Sequence, residues 1–327
     1  MINWGIVGLG NMGHKFASSL EETNNSKLGG IASLNNQRLK KFQETFNVKD
    51  EFLYRNYNEL IKEKNIDAIY IATLNNSHLE LIKSCAENKK SILCEKPITL
   101  NYEEAQEARD YINRNKVLFF EAIAFRSHPQ TKIVKDIINQ NEIGDINTIV
   151  SSFGFKVKKI NPKSRLFNKD LGGGSILDLG CYPFSTLNFL FDKDAKYEFT
   201  NTNGSFCSTN VDDSATAEIL INNKVKCNIK VSIKENFDNK TVIKGTKGQI
   251  IINNPWLPEK KTTLDIKNNN SFYKKFINSD LSIFANQTQK VSENFLNKTQ
   301  YDKFLVNIDD SLNIMRNLTE WSSLIRK

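Results

Sequence analysis

The sequence predicts an α/β protein of two domains, the first on a doubly wound parallel sheet and the second an α+β domain with a large, mostly antiparallel sheet. Its 327 residues exceed the roughly 250–300 at which one hydrophobic core usually stops growing. Residues 1–125 alternate short apolar runs with helical segments, which is typical of parallel strands joined by crossover helices. Residues 126–327 carry longer β-rich runs, so we place the domain boundary near residue 125.

The first domain is predicted to alternate six strands with five helices. The strands are expected at Asn3–Val7, Lys27–Ser33, Glu51–Tyr54, Ala68–Ala72, Ser91–Cys94 and Val117–Glu121, and the helices near Met12–Leu20, Gln37–Phe46, Tyr57–Lys64, His78–Asn88 and Tyr102–Asn115.

The second domain is predicted to begin with a helix at Thr131–Gln140 and to continue as antiparallel sheet. Polar pairs such as Asn222-Asn223 break the β-rich runs as hairpin turns do. A final helix near Asp310–Ile325 is expected to pack back on the first domain. The strands are expected at Ile146–Val157, Tyr197–Ser205, Ser214–Ile221, Lys226–Glu235 and Thr241–Lys244.

A net charge of +8 points to nucleic acid, a membrane surface or a phosphorylated ligand as partner. The basic residues are scattered as pairs such as Lys40-Lys41, and they form no stripe that would bind a duplex. No stretch approaches the roughly 18 consecutive apolar residues of a membrane span, and the chain begins with a strand rather than a leader. We therefore expect a cytoplasmic protein that binds a small molecule, and neither nucleic acid nor membrane.

Side chains that bind metal ions are sparse. The five cysteines are widely spaced and form no C-x-x-C pair, and the three histidines lie far apart. We expect reduced, mostly buried thiols and no metal centre.

A glycine-rich turn, Gly8-Leu9-Gly10-Asn11-Met12-Gly13, follows the first strand and opens the first helix. In such a turn the first glycine permits a tight bend, the second lets the backbone approach a pyrophosphate, and the third lets the helix pack against the strand. We predict a Rossmann domain whose NAD(P) site is formed by Gly8, Gly10, Asn11, Met12 and Gly13. The alternative is a turn that binds no ligand.

The end of the second strand determines which nicotinamide dinucleotide binds. No acidic residue occurs from Asn24 through Gln43, so no carboxylate is present to bind a ribose 2′-hydroxyl and repel a 2′-phosphate. Ser33 and Arg38 can hydrogen-bond and neutralise a 2′-phosphate. We therefore expect NADP to be preferred over NAD; the alternative is that Arg38 lies on the solvated face of the next helix.

Two further strings carry chemistry. Lys96 follows the fifth strand and emerges at the carboxyl edge of the sheet, where a doubly wound fold binds its ligand. Three glycines, 172–174, precede a predicted helix on which Asp178 and Tyr182, four residues apart, share a face. The structural alternatives are a solvated Lys96, a buried aromatic at Tyr182, and an Asp178 that braces the glycine turn.

Together these strings resemble the Gfo/Idh/MocA oxidoreductase family over nearly the whole chain. The string 180–183, Gly-Cys-Tyr-Pro, is similar to the branch with dimeric dihydrodiol dehydrogenases, NADP-linked aldose dehydrogenases and keto-sugar reductases. Leu74 departs from a usual proline, and Leu34 from an arginine frequent in NADP-binding relatives. Besides the glycine strings, the segments that carry the resemblance are 71–78, 95–97, 121–129, 164–167, 243–250 and 310–315.

The resemblance implies roles for these residues. Lys96 would lie beside nicotinamide and substrate, Tyr182 would transfer a proton, and Asp178 would bind substrate hydroxyls. The second domain would supply the substrate pocket and, through an open sheet, the interface of a dimer or tetramer. Arg126 and His128 are expected to brace the structure. The residues that would line the cofactor are Thr73, Asn75, His78, Glu95 and Lys96.

Elementary chemistry supports the pairing of Tyr182 with Lys96. Hydride transfer at a carbinol carbon needs a proton acceptor or donor on the oxygen, and an ordinary tyrosine, with a pKa of about 10, is a poor base unless an ammonium favours its phenolate. We expect an NAD(P)-dependent dehydrogenase or reductase acting on a sugar, polyol or cyclic diol. The alternatives are a nucleotide-sugar keto-reductase of surface-glycan biosynthesis, with a phosphate pocket near Lys158, Lys159 or Arg165, and a non-catalytic dinucleotide-binding regulator.

Overall fold

The computed structural model describes residues 1–191, 193–268 and 271–327. The chain divides into two units, and each is discontinuous in sequence. It leaves unit 1 after residue 124, returns to it at residue 281 and ends in unit 2. Unit 1 consists of Met1–Ala124 and Leu281–Leu312, and unit 2 of Phe125–Asp280 and Asn313–Lys327.

The first 124 residues alternate strands and helices, as their apolar periodicity predicts, with ends within a residue or two of the expected ones. The third strand is short because a 3₁₀ turn, Asp50–Phe52, takes up its predicted start. The strands are β1 (Ile2–Val7), β2 (Ser26–Ala32), β3 (Leu53–Tyr54), β4 (Ala68–Ile71), β5 (Ser91–Glu95) and β6 (Phe119–Ala122), and the helices are α1 (Asn11–Glu21), α2 (Asn36–Phe46), α3 (Tyr57–Lys62), α4 (His78–Glu87) and α5 (Tyr102–Asn115).

These six strands form one parallel sheet, in the order β3-β2-β1-β4-β5-β6. The order reverses between β1 and β4, and a doubly wound sheet binds its ligand beyond the carboxyl ends of its strands at such a point. The predicted doubly wound fold of the first domain is thus confirmed.

Unit 2 begins with a helix and then builds a second sheet. Its elements are the helices α6 (Pro129–Asn139), α7 (Ser175–Leu179) and α8 (Cys181–Leu190), and the strands β7 (Ile146–Gly154), β8 (Tyr197–Phe206), β9 (Asp212–Ile221), β10 (Val225–Ser232), β11 (Thr241–Gly245), β12 (Gly248–Ile252), β13 (Lys261–Asn268) and β14 (Phe272–Asn278). Among the described residues this sheet has eight strands, in the order β14-β13-β12-β11-β7-β10-β9-β8. Only β7 and β10 pair in parallel, which confirms the mostly antiparallel sheet.

Two helices follow the second sheet, α9 (Ile283–Leu296) and α10 (Ile308–Leu324). Helix α9 belongs to unit 1, and α10 passes from unit 1 into unit 2 after Leu312. The Trp4 indole of β1 donates to the Ser292 hydroxyl of α9 at 3.0 Å. The Phe295 ring of α9 lies 5.6 Å from that indole. The core of unit 1 is therefore completed by a segment that lies nearly 300 residues from β1 in the sequence.

Candidate active site

The glycine turn after β1 has the shape that a dinucleotide needs. Gly8 has a φ of +94°, and a Cβ there would lie 2.6 Å from the carbonyl oxygen of Ala72. A Cβ on Gly13 would lie 2.5 Å from the carbonyl oxygen of Gly8. Gly10, in contrast, has no atom within 4 Å of a Cβ position, and it caps α1 without a side-chain hydrogen bond. The turn therefore offers open space in front of helix amides, which fits a pyrophosphate.

The first residues of α1 border this space. Asn11 is exposed and Met12 is half-buried, and neither they nor their neighbours put an acidic side chain in the first turn of the helix. Because the N-terminus of a helix carries partial positive charge, this turn favours an anion. Asn11 and Met12 are both among the residues that the sequence predicts to bind the cofactor.

Polar groups follow the carboxyl end of β2. The buried Ser33 hydroxyl accepts from the N–H of Asn35 at 3.1 Å, and the Asn35 side chain caps α2 by accepting from the N–H of Arg38 at 3.0 Å. Burial raises the pKa of Tyr57, while the Arg38 cation, which lies within electrostatic range, lowers it. Leu34 is 70 % exposed. This edge thus presents a serine, a helix N-terminus and a cation, without a carboxylate.

The segment after β4 is held by its own side chains. The Ser77 hydroxyl donates to the Thr73 hydroxyl at 2.7 Å, and Asn75 is buried in a 3₁₀ turn. His78, which is fully buried, lies with Nδ1 3.0 Å from the carbonyl oxygen of Pro97. His78 therefore ties α4 to the segment after β5.

Glu95 and Lys96 stand at the carboxyl end of β5. The Glu95 carboxylate is buried and accepts from the Tyr70 hydroxyl and, at 3.3 Å, from the backbone N–H of Lys96. The Lys96–Pro97 peptide bond is cis. Lys96 itself is half-buried and follows β5 at the carboxyl edge of the sheet, on a backbone that its neighbours hold.

In unit 2 the three glycines lead into α7, as predicted, but the expected single helix is divided: α7 ends at Leu179 and carries Asp178, and α8 begins at Cys181 and carries Tyr182. Gly174 has a φ of +118°, and a Cβ there would collide with the carboxylate of Asp212. Asp212 accepts from the Ser175 hydroxyl at 2.8 Å and from the Ile176 N–H at 2.7 Å. Burial raises the pKa of Asp212, and these two hydrogen bonds lower it. Asp212 therefore braces the start of the helix that follows the glycines.

Asp178 makes an ion pair within unit 2. Its carboxylate, 5 % exposed, lies 2.7 Å from Nη1 of Arg165, whose side chain is 36 % exposed. Arg165, which the nucleotide-sugar alternative would place near a phosphate, thus engages a carboxylate on α7. The pair fixes the Asp178 carboxylate, and a fixed carboxylate suits hydrogen bonds to hydroxyl groups.

Tyr182 lies in a group of aromatic rings of unit 2. The ring centroids of Phe153, Trp256 and Phe125 lie 5.1, 5.9 and 6.2 Å from that of Tyr182. The buried Trp256 indole donates to the carbonyl oxygen of Ser152 at 3.0 Å, which fixes this ring. The Tyr182 ring therefore has three aromatic neighbours. We call Phe125, Phe153, Tyr182 and Trp256 the aromatic cluster.

Arg126 and His128 have bracing contacts, as expected. The buried Arg126 guanidinium donates to the carbonyl and hydroxyl oxygens of Ser185 at 3.1 and 3.2 Å and lies over the Phe189 ring. His128 caps α6 by accepting from the N–H of Gln130 at 3.1 Å, and burial lowers its pKa to about 4. His128 is therefore neutral near pH 7.

Each unit brings together the predicted residues that it contains. In unit 1 these lie at the carboxyl ends of β1, β2, β4 and β5, and in unit 2 they lie on α7 and α8. The sequence did not predict the parts played by Asp212, Phe153 and Trp256. No local pattern marks them, because each meets its partner only across strand pairings or loops of 29 residues or more.

Clusters of metal-binding side chains and membrane-spanning helices are both absent from the described part of the chain. No group of three or more His, Cys, Asp and Glu residues stands where it could hold a metal ion. No helix there is both long enough and apolar enough to span a bilayer.

A dinucleotide-binding turn on a doubly wound sheet, with a second unit that carries a tyrosine and a carboxylate, defines an NAD(P)-dependent oxidoreductase. Residues 2–123 match the model of an oxidoreductase family with an NAD-binding Rossmann fold, and residues 131–251 match the GFO/IDH/MocA C-terminal domain. The chain belongs to the Gfo/Idh/MocA family, as the sequence resemblance indicated, and is a dehydrogenase or reductase acting on CH–OH groups.

Named relatives point to one branch of the family. The chain is 30 % identical over 258 residues to the trans-1,2-dihydrobenzene-1,2-diol dehydrogenase of Xenopus tropicalis, covering 78 % of this chain and 76 % of that protein. It is 30 % identical over 259 residues to the same enzyme of Mus musculus, covering 79 % and 76 %.

Solved structures share the fold. An aldose-aldose oxidoreductase from Caulobacter crescentus, complexed with glycerol, has a TM-score of 0.90 at 20 % identity and covers 99 % of this chain and 97 % of its own. A 3-ketoreductase from Actinomadura kijaniata, in complex with NADP and TDP-benzene, has a TM-score of 0.86 at 22 % identity and covers 97 % and 95 %.

Proposed function

We propose that this protein oxidises and reduces a sugar, polyol or cyclic diol with Tyr182 as the proton-transfer residue and Lys96 as its electrostatic support. The observation that supports the substrate assignment is the aromatic cluster around Tyr182 on α8, which follows in the sequence directly after α7 with its Asp178 carboxylate. Apolar rings suit the carbon face of a cyclic substrate, and a carboxylate suits its hydroxyl groups. The diol dehydrogenases named above support the same substrate class.

The cofactor side rests on the turn at Gly8, Gly10 and Gly13. The amides at the start of α1, including those of Asn11 and Met12, would hold the pyrophosphate, and Thr73, Asn75, His78 and Glu95 would line the rest of the site. When bound, the nicotinamide accepts or supplies the hydride. The protein contributes orientation and charge, since a positioned substrate converts a bimolecular step into a unimolecular one.

The chain's own residues move the proton. In oxidation Tyr182, as the phenolate that the Lys96 ammonium would favour, takes the proton of the substrate hydroxyl, and in reduction the Tyr182 hydroxyl gives its proton to the nascent alkoxide. The Lys96 ammonium would stabilise negative charge on either oxygen. Asp178, fixed by Arg165, would hold a neighbouring hydroxyl so that the reacting carbon keeps one orientation.

NADP is the proposed preference. A 2′-phosphate at the end of β2 would meet the Ser33 hydroxyl, the N-terminus of α2 and the Arg38 guanidinium, and no carboxylate would repel it. An NAD-specific site places a carboxylate at this position.

A second copy of the chain is the proposed partner, in a dimer or tetramer formed through the second sheet. The strand registers put Val150, Phe272 and Phe276 on one face of this sheet, and these side chains are 38 %, 62 % and 74 % exposed. Exposed apolar groups on one sheet face are typical of association surfaces. A cytoplasmic location is proposed with it.

The nucleotide-sugar alternative depends on a phosphate pocket near Lys158, Lys159 or Arg165. Both lysines are exposed, but Arg165 is engaged with Asp178. Nucleotide sugars therefore belong in the substrate panel as a competing class.

The test is the change in absorbance at 340 nm with NADP and with NAD over trans-dihydrodiols, aldoses, inositols and nucleotide sugars. Tyr182→Phe is expected to lower kcat about 10²–10⁴-fold on the best substrate while the affinity for NADPH stays within threefold. Tyr197→Phe, which removes a hydroxyl that contacts Asn188 in the same unit, serves as the matched control. Turnover of Tyr182→Phe at the wild-type rate would refute the assignment.

A further inference from the structure

Glu121, at the end of β6, is a buried carboxylate whose two oxygens both accept hydrogen bonds. It is 1 % exposed. The backbone N–H of Ile98 donates to Oε1 at 3.0 Å, and the Ser311 hydroxyl donates to Oε2 at 2.6 Å. Burial of a carboxylate costs free energy unless its oxygens are hydrogen-bonded. These two donors supply that compensation, and all three residues belong to unit 1.

The carboxylate joins three segments that lie far apart in the sequence. Ile98 comes two residues after Lys96, and Ser311 lies near the start of α10. The backbone N–H of Glu121 also donates to the carbonyl oxygen of Val306 at 2.8 Å. Segments 95–97, 121–129 and 310–315 each carry the family resemblance, and Glu121 is where the three meet.

The backbone around Lys96 is held at three successive residues. The N–H of Lys96 donates to Glu95, the carbonyl oxygen of Pro97 lies 3.0 Å from His78 Nδ1, and the N–H of Ile98 donates to Glu121. A lysine side chain has four rotatable bonds, so its ammonium stays in one place only if the Cα beneath it is fixed. Of these three anchors, Glu121 reaches α10 through Ser311.

We propose that Glu121 is a positioning residue for the reaction: it anchors the backbone of Lys96–Ile98 to the start of α10 and thereby keeps the Lys96 ammonium in its working place. This inference rests on the proposed function, because it assumes that Lys96 acts on the reacting oxygen. Because Glu121 is almost fully buried, its proposed part is to hold other residues in place.

The charge of Glu121 should make the effect of the anchor on kcat depend on pH. Burial raises the pKa of Glu121 to about 7, against the hydrogen bonds from Ser311 and Ile98; the Glu95 carboxylate raises it further and the Lys96 ammonium lowers it. Cys94, the other titratable group in range, stays a neutral thiol because burial raises its pKa. Glu121 therefore gains its negative charge as the pH rises through 7, and that charge favours the protonated, cationic form of Lys96.

The first experiment is a double-mutant cycle. Glu121→Ala is expected to lower kcat about tenfold or more, with KM and the NADPH affinity within threefold, and to have no further effect in a Lys96→Ala background. Ser292→Ala removes a fully buried hydroxyl elsewhere in unit 1 and is the control for a general loss of structure. It should leave kcat unchanged. Equal loss in both backgrounds, or no loss in the wild-type background, would overturn the proposal.

The outcomes separate the two levels of inference. If Lys96→Ala alone leaves kcat unchanged, the proposed function fails. If Lys96→Ala lowers kcat and Glu121→Ala does not, only the positioning role fails.

Glu121→Gln tests the charge of the anchor, and it can be measured even if the alanine variant does not fold. Its amide oxygen can accept from Ile98 and its amide nitrogen can donate to Ser311, so the contacts persist while the charge is lost. When the enzyme reduces its substrate, loss of the donor proton on Tyr182 lowers kcat at high pH. A limb of the kcat profile that rises with pH near pH 7 therefore belongs to another group. We expect wild-type kcat to show that limb and Glu121→Gln to lack it; a limb that persists in the variant would overturn the proposal.

Discussion

Arg38 is an exposed cation at the start of α2, and the same helix offers a matched control in the exposed Lys40. A charge-assisted hydrogen bond to a phosphate is worth roughly 1.5–3 kcal/mol. Arg38→Ala should therefore weaken NADPH binding about tenfold or more and leave NADH binding within twofold, as measured by nicotinamide fluorescence. Lys40→Ala should leave both affinities unchanged. An equal effect of the two variants would mean that the helix attracts the cofactor only through its general charge.

The buried, neutral ring of His128 should make the folded protein less stable in acid. Burial lowers its pKa from about 6.5 to about 4, so the unfolded chain binds the proton more readily than the folded chain between these values. The stability that the neutral ring contributes is complete above pH 6.5 and is lost as the pH falls towards 4. His128→Asn keeps a cap on α6 without a titrating group.

Urea unfolding at pH 7 and pH 4.5 measures this effect. The fall in unfolding free energy between the two values should be smaller by on the order of 1–3 kcal/mol in His128→Asn than in the wild-type protein. His14→Asn, at a half-buried histidine in unit 1, should retain the wild-type fall. The same pH dependence in all three proteins would assign acid sensitivity to other groups.

At the scale of elements, the glycine turn between β1 and α1 separates folding from binding. Gly8→Ala puts a Cβ against the Ala72 carbonyl at a φ of +94°, and we expect it to destabilise unit 1 by about 2 kcal/mol or more. Gly10→Ala meets no atom within 4 Å and has an ordinary φ of −87°, so the melting temperature of the protein without cofactor should not change. The new methyl group would occupy the space proposed for the pyrophosphate, so NADPH affinity should fall at least tenfold. A melting temperature lowered equally by both substitutions would contradict this distinction.

Elements were predictable where their apolar spacing is simple. The buried parallel strands read as short apolar runs, and β4 and β6 are buried at every residue. Helix α9 was not predicted because four of its seven buried residues are polar: Gln287, Thr288, Ser292 and Asn294. They are compensated by partners such as Ser19 and Trp4, which a single sequence does not reveal. Strands β13 and β14 were missed for a related reason, since their lysines and asparagines hide the alternation.

The same limit applies to the candidate site as a whole. The positions of Gly8, Lys96 and Tyr182 follow from strings whose neighbours in sequence are also their neighbours in space. Other contacts cannot be predicted from neighbouring residues in this way. Asp178 meets Arg165 across the glycine loop, and Glu121 meets Ser311 across 190 residues. A single sequence therefore suffices to propose reacting groups, whereas the contacts that hold these groups are long-range packing that only the fold shows.

For the whole molecule, the return of the chain at Leu281–Leu312 makes unit 1 discontinuous, whereas the sequence divided the domains near residue 125. Without α9, the core around Trp4 would lose the buried Val291 and Phe295, and the indole would lose its hydrogen bond to Ser292. Loss of two large apolar side chains from a core costs roughly 2–5 kcal/mol each, which is comparable to the total stability of a domain. We therefore expect residues 1–124 alone not to fold.

Circular dichroism and urea titration of two fragments measure this directly. Residues 1–124 should show no cooperative transition and no NADPH binding. The same residues joined to 281–312 by a long Gly/Ser linker, which imposes little geometry of its own, should unfold cooperatively and bind NADPH. If residues 1–124 alone unfolded with the stability of the joined fragment, the contacts between β1, α1 and α9 would be dispensable. The glycine turn would then be supported by the first 124 residues alone.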